Sequence, residues 1–200
     1  TVTLRETGDG TRLIHVALRD SRVYSPRTEW ITRYSIELIE HVLIVKGAAF
    51  LCDEIAREED SDAVESDMCD SLFSYVAREV MDGTRILDFG SGSGASSIVL
   101  ARLLPRARIT GIELLEEFVT LARRRAAFHT CAGVSFHLSP APDRIPDEIG
   151  PFDYIVLSAV YEHLLPIERQ PLMHMLWEQL VPGGVLFMHQ TPDLRFPLEV

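Results

Sequence analysis

Residues 86–94 read ILDFGSGSG, so Asp88 closes an apolar run and Gly90, Gly92 and Gly94 follow at alternate positions before the helix-like stretch ASSIVLARLL. Glycines let a backbone turn tightly and pass close to a ligand, and a helix start presents free amides. Such a turn can cradle a dinucleotide's pyrophosphate: GSGSGA satisfies the relaxed G-x-G-x-x-A pattern, and Glu113 follows at the distance of a ribose-binding acid. Asp88 weighs against that reading. A carboxylate beside a pyrophosphate in a partly desolvated cleft is repulsive, so the acid suits a ligand that carries an ammonium or another cation. No later segment reads as a nicotinamide partner.

A second group of reactive side chains stands farther along. SAVYEHLLP contains Ser158, Tyr161, Glu162 and His163, and MHQTPD contains His189, Gln190 and Asp193. His163 has the ordinary proton affinity of a base near neutrality, although a histidine there can equally hydrogen-bond the backbone and shape its loop. His189 can simply end a buried strand, and His41 and His174 sit on helical stretches. No acid–histidine spacing suggests a metal site. Cys52, Cys69 and Cys131 are odd in number and far apart, which fits reduced thiols in a cytoplasm rather than a disulfide framework.

These residues need a scaffold, and the chain divides near residue 80. From 81 on, short apolar strands alternate with amphipathic helices: strands at 85–89, 108–112, 134–138, 153–158 and 185–189, and helices near 94–104, 116–128 and 167–180. Alternation with short connections predicts a doubly wound, mainly parallel α/β sheet with helices on both faces. RILDF, DYIVLSAV and VLFMH are nearly continuous apolar runs, as strands buried on both faces should be. In such sheets ligands sit beyond the C-terminal ends of the strands, where Asp88 and Glu113 fall.

Residues 1–80 read as a mostly helical extension, forming a wall or lid for a substrate. A short strand is predicted at 12–18, a turn into a helix near 25–30 capped by Thr28 or Thr32, a helical stripe over 33–57, and a second helix over 63–81. The latter turns Met68, Leu72, Tyr75, Val76 and Val80 inward and stops at Gly83. Tyr24, Trp30, Tyr34 and Tyr75 are candidates to line the wall. Arg123, Arg124 and Arg125 are adjacent on a helix and read as a solvated face.

ILDFGSGSG resembles the first motif of class I S-adenosylmethionine-dependent methyltransferases, an acid, any residue, then G-x-G-x-G. ITGIELLEEFVTLARRRA resembles the second motif, FDYIVLSAVYEHL the fourth, and LWEQLVPGGVLFMHQ the helix, turn and fifth strand after it. The resemblance covers roughly residues 80–192 and implies a Rossmann-like fold with S-adenosylmethionine as cofactor. It implies that Asp88 helps hold the methionine end, that Gly90 and Gly92 pass under the cofactor, and that Gly94 opens the helix. Glu113 would take the ribose hydroxyls and Leu114 would lie against adenine. Phe89, Ser91 and Ser158 join the same binding set. Where many relatives carry an adenine-binding aspartate this chain has Ser139, which would use its hydroxyl or its backbone. His163, with Tyr161 and Glu162, is the catalytic candidate. With YSIELIEHVLIVKGAAFLCDEIARE, the chain is also similar to bacterial methyltransferases of unassigned substrate.

The implied reaction moves a methyl group to O, N or C of a small-molecule acceptor. The competing readings are a non-catalytic cofactor-binding module for regulation or assembly and a dinucleotide-dependent oxidoreductase. Net charge is −11, which argues against nucleic acid as a partner. The longest apolar run, HVLIVKGAAFL, is broken by Lys46 and Gly47 and is too short to cross a membrane. A soluble, cytoplasmic protein is expected. Methyltransferases of this class usually have seven strands, and the last two appear absent after residue 189. An apolar fifth strand on an open edge invites aggregation, so truncation is expected, or cover by the N-terminal strand or by a second copy of the chain in a homodimer.

Overall fold

The structure, a computed structural model, describes residues 1–18 and 26–189. The chain opens with β1 (Val2–Glu6), β2 (Arg12–Val16) and β3 (Glu29–Thr32), an antiparallel sheet in that order. Only β2 is foreseen from the sequence pattern. The helix expected from about 25–33 starts later because β3 pairs with β2, Arg12 opposite Thr32, and satisfies its backbone there. Helix α1 (Ile36–Lys46) then begins at Ser35, whose hydroxyl accepts from the Leu38 N–H at 3.3 Å. Gly47, at φ +79°, ends it, and α2 (Leu51–Glu59) follows a single 3₁₀ turn. Ile14, Val16, Tyr34, Leu38, Ile39 and Val42 bury against α2 and reach Leu121 of the later domain.

The helix expected over 63–81 is broken. It consists of α3 (Asp62–Met68), a π-helical turn (Cys69–Phe73) and α4 (Arg78–Met81). A π turn holds more residues than an α turn and offsets the stripe that follows. Met68 and Leu72 are buried as expected, whereas Tyr75 and Val80 are 78% and 60% exposed. Gly83 closes the segment at φ +100°.

Strands β4 (Arg85–Phe89), β5 (Arg108–Glu113), β6 (Val134–Leu138), β7 (Phe152–Ser158) and β8 (Leu180–His189) alternate with α5 (Ala95–Leu103), α6 (Glu116–Phe128) and α7 (Pro166–Glu178). The five strands are parallel, ordered β6-β5-β4-β7-β8. This is the doubly wound, Rossmann-like sheet that the sequence predicts. Ile86, Tyr154, Val156 and Phe187 pack on the face covered by α3, the π turn and α5. Leu87, Phe89, Ile155 and Leu157 pack on the opposite face against Leu172 and Leu176 of α7. Asp88 is in register with Val156, and Val156 with Phe187. Side chains alternate along a strand, so Asp88, Ser158 and His189 all project on the α3–α5 face.

Among the described residues β8 is an edge strand, with β7 its one neighbour. The N-terminal strands form their own sheet and do not cover it. No helix among the described residues is long and apolar enough to cross a membrane.

Candidate active site

The glycine turn runs from the end of β4 to the first turn of α5. Gly90 lies at φ +75°, and a Cβ there would stand 2.5 Å from Cγ2 of Val160. Gly94 lies at φ +83°, where a Cβ would meet Ala122 and Phe136 at 2.7 Å. Gly92, at φ +53°, faces open space. Two of these glycines are therefore needed for packing, and the third leaves bare backbone exposed to the cleft.

Four of the turn's amides are already spent. Gly90 and Ser91 both donate to the Ile112 carbonyl at 2.8 and 2.9 Å, and Gly94 donates to the Ser91 carbonyl at 3.0 Å. The Gly92 N–H donates to Glu113 Oε2 at 3.0 Å. Phosphate cradles work by pointing free N–H groups at the anion. These four point elsewhere, and two carboxylates bracket the turn instead.

Glu113 also accepts from the N–H groups of Leu114 and Leu115, at 2.7 and 3.2 Å. Its carboxylate thereby ties the glycine turn to the start of α6, and an ionised carboxylate retains acceptor sites for further donors. Asp88 is buried and accepts from the Ser97 hydroxyl. Burial pushes its carboxyl up to about 6, with the Ser97 hydrogen bond and the Arg57 charge opposing the shift and the Glu113 charge adding to it. A cation in the cleft would favour the ionised form.

Two clefts flank the turn. One, about 900 Å³ with its mouth included, is lined by Phe89, Gly90, Glu113, Leu114, Ser139 and His163, among others. The other, about 810 Å³, lies over Asp88, Gly90 to Ser93, Ser158 and His163, with Lys46 and Arg57 on its rim. All ten sequence-derived binding residues line one or the other except Gly94, which opens the helix as its neighbour packing requires. Leu114 is 45% exposed there, an apolar surface for a flat ring. Ser139 is left by the sequence with both its hydroxyl and its backbone open for the ligand. Its hydroxyl donates to the carbonyls of Ala141 and Arg144 and shapes the loop after β6, while its N–H donates to the Glu113 carbonyl at 2.8 Å.

The catalytic candidates separate. His163 stands at the mouth common to both clefts, its side chain 80% exposed. Tyr161 lies under the Arg169 guanidinium, 4.9 Å from its ring centre, and does not line either cleft. Glu162 is tucked in, with Oε1 3.9 Å from His163 Nε2 and Oε2 buried without a hydrogen bond. Just before them, at the end of β7, Ala159 holds φ +52°, a strained value for a residue with a Cβ, fixed by its N–H to the His189 carbonyl at 3.1 Å.

His189 faces a smaller space of about 430 Å³, its mouth included like those of the two clefts, lined also by Asp67, Met68 and Leu72. Burial lowers its proton affinity, opposed by Asp67. The proposed aromatic wall does not assemble. Tyr34 is fully buried in the extension's core, Trp30 donates to Glu59 at 2.7 Å, and Tyr75 leans toward Phe187 on the outside. Tyr24, Gln190 and Asp193 lie outside the described residues.

The arginine run corrects another expectation. Arg125 is wholly buried, donating to Glu54 and Glu58 of α2, to Ser93 of the glycine turn and to the Tyr34 hydroxyl. Arg123 donates through Nε and Nη2 to the Phe136 carbonyl at 2.9 and 2.7 Å. Three arginines in a row carry no signal that one is internal. Nor does the sequence pattern mark Arg57 and Lys46 as cleft residues. The one available sign is that Lys46 is the sole lysine of the 200 residues.

A family model described as a methyltransferase domain matches residues 86–184. The ubiquinone biosynthesis O-methyltransferase of Xanthomonas campestris pv. campestris is 31% identical over 122 residues, 59% of this chain and 49% of that protein. The arsenite methyltransferase of Aquipseudomonas alcaligenes is 31% identical over 119 residues, 56% of this chain and 34% of that protein. The chain thus spans about half, or less, of the length of these curated relatives. Among solved structures, the S-adenosylmethionine-dependent methyltransferase SibL superposes on 75% of this chain and 41% of its own, with a TM-score of 0.54 at 19% identity. A protein of Pyrococcus horikoshii OT3 matches 62% of this chain and 57% of its own, with a TM-score of 0.52 at 20% identity. Strand order, the acid-flanked glycine turn and the matched span together identify residues 86–184 as a methyltransferase domain of the class I S-adenosylmethionine-dependent type.

Proposed function

We propose that the chain binds S-adenosylmethionine across the glycine turn and moves its methyl group to a small-molecule acceptor. One observation carries this reading: Asp88 and Glu113 flank a glycine turn in which the amides of Gly90, Ser91, Gly92 and Gly94 already have acceptors within the protein. The residues fit the cofactor. Glu113 would hold the ribose hydroxyls, Leu114 the adenine face, Gly92 the close backbone passage, and Asp88 the cationic methionine end. The Ser139 carbonyl, rather than its hydroxyl or N–H, is left for the adenine edge.

Bound, the cofactor supplies a methyl group on a sulfonium that is already a good leaving group. What the protein adds is alignment of the acceptor's lone pair with the methyl–sulfur bond. Asp88, Ser158 and His163 line one cleft, so an acceptor is presented to the cofactor there. His163 takes the proton of a protic acceptor and passes it to solvent, to which its ring is open. Tyr161 and Glu162 act on the loop that carries His163. Residues 1–80 are the extension and 81–200 the methyltransferase domain.

The named activities of the relatives are on small molecules, in keeping with a net charge of −11 that does not favour nucleic acid. Cys52, Cys69 and Cys131 are all free thiols, and we place the enzyme in the cytoplasm. A second copy of the chain over β8 would give a homodimer. Calorimetric titration with S-adenosylhomocysteine and, separately, NAD tests the reading. Binding of the first and not the second is expected; the reverse would make the protein a dinucleotide enzyme. Transfer of label from cofactor to a cell-extract fraction distinguishes an enzyme from a silent binding module.

A further inference from the structure

The loop after β6, where the resemblance implies an adenine-binding residue, offers no free side chain to the cavity. The Ser139 hydroxyl donates to the carbonyls of Ala141 and Arg144, its N–H donates to the Glu113 carbonyl, and Pro142 has no N–H to give. Asp143, the next acid along the loop, is exposed and does not line the cavity. An adenine edge therefore meets one backbone carbonyl there, although the base carries an exocyclic amine with two N–H donors. A donor taken out of water without an acceptor costs free energy.

A second carboxylate faces the same cavity. Glu168 stands in the first turn of α7 and lines the space with Leu114, Ser139 and His163. One end of its side chain is pinned: Oε2 accepts from the Leu165 N–H at 2.8 Å, while the Leu165 carbonyl accepts from the Glu168 N–H at 2.9 Å. Such reciprocal bonds at a helix start fix where the carboxylate sits. Among the described residues Oε1 takes no hydrogen bond. Glu113, the other carboxylate on this cavity, already serves three backbone N–H groups, and the His163 ring is open to solvent. Glu168 is the side-chain acceptor left for the base.

On the reading that S-adenosylmethionine occupies this cavity, we propose that Glu168 accepts a hydrogen bond from the exocyclic amine of adenine, so that the helix after β7, rather than the loop after β6, supplies the side chain that reads the base. An ionised carboxylate offers lone pairs alone. It favours an amine and repels a carbonyl oxygen, which makes Glu168 a specificity residue for adenine against hypoxanthine.

Calorimetry with S-adenosylhomocysteine and S-inosylhomocysteine, which differ only along that edge of the base, tests this. The parent should prefer the adenine ligand about tenfold or more. In Glu168→Gln the amide oxygen can still accept from the Leu165 N–H, so the melting temperature should stay near the parent's, while an NH₂ group now faces the base. The preference should then fall to about threefold or less, or reverse. Glu113→Gln should instead weaken both ligands and keep the preference, because its contact is with the ribose. A parent without preference, a Glu168→Gln protein that keeps the parent's preference, or one that loses both ligands equally would overturn the proposal while the cofactor reading stands. If the parent binds neither ligand, the cofactor reading fails and takes this inference with it.

Discussion

Arg125 Nη1 lies 2.6 Å from Glu54 Oε1, with the arginine side chain 0% and the glutamate side chain 4% exposed. The pair joins α6 of the sheet domain to α2 of the extension. With Glu58, 3.1 Å from Nε, it puts three charges out of reach of water. Burial alone would push the Glu54 carboxyl up, but Arg125 and Lys46 outweigh it and hold the group below its ordinary value. Arg125→Ala removes the guanidinium shared by two buried acids and leaves Glu54 with Lys46 and Glu58 with His129, a change that costs about 3–5 kcal/mol. Urea unfolding should show that loss, together with weaker cofactor binding because Ser93 is released. Glu54 stabilises the fold when ionised, so its contribution disappears as pH falls through the lowered value. An acid titration of parent and variant should therefore converge at low pH.

Asp88 has the opposite sign. Its carboxyl rises from an ordinary 3.8 to about 6 in the fold, so the folded chain holds that proton better than the unfolded one. Its contribution to stability is complete below 3.8 and lost as pH rises through about 6. Asp88→Asn should be about 1–3 kcal/mol more stable than the parent at pH 7.5 and bind S-adenosylhomocysteine about tenfold or more weakly. The parent's affinity should fall as pH drops below 6. Affinity independent of pH from 5 to 8, in the parent, would remove Asp88 from the ligand's charge pairing.

Gly92 and Gly94 should fail differently when given a Cβ. At Gly94 the new methyl meets Ala122 and Phe136 at 2.7 Å at a left-handed φ of +83°, so Gly94→Ala should lose about 2–4 kcal/mol of stability. At Gly92 nothing stands within 4 Å, and the methyl enters the cleft. Gly92→Ala should keep most of its stability, less the cost of its φ, and lose cofactor affinity. Melting temperature and calorimetry on the two variants check the contrast.

Glu113→Gln should weaken S-adenosylhomocysteine and 5′-methylthioadenosine alike, about tenfold or more, because both carry the ribose.

His163→Ala should lower methyl turnover on the acceptor found by label transfer at least tenfold, with S-adenosylhomocysteine affinity within twofold. Its ring is exposed, so the variant should fold as the parent does. Unchanged turnover would leave alignment alone as the chain's contribution to the reaction.

The sheet domain was legible because its signals are local. Apolar runs of strand length, glycines at alternate positions and an acid at each of two strand ends prescribe β4, β5, β7 and the turn without knowledge of what packs on them. The site's acids and glycines fall within those same runs, so they were legible with it. The tertiary structure alone decided the rest. Three consecutive arginines look alike along a chain, and which one points inward depends on α2 arriving with Glu54 and Glu58. The strand β3 depends on pairing with β2, and the break after Met68 on how α3 meets the sheet. Arg57 reaches the cleft because that buried ion cluster fixes α2 against the glycine turn, and Lys46, at the end of α1, because it pairs with Glu54. Charges brought together from positions 46, 54, 57, 88 and 125 act over a few ångströms of space, and no spacing along the sequence encodes that distance.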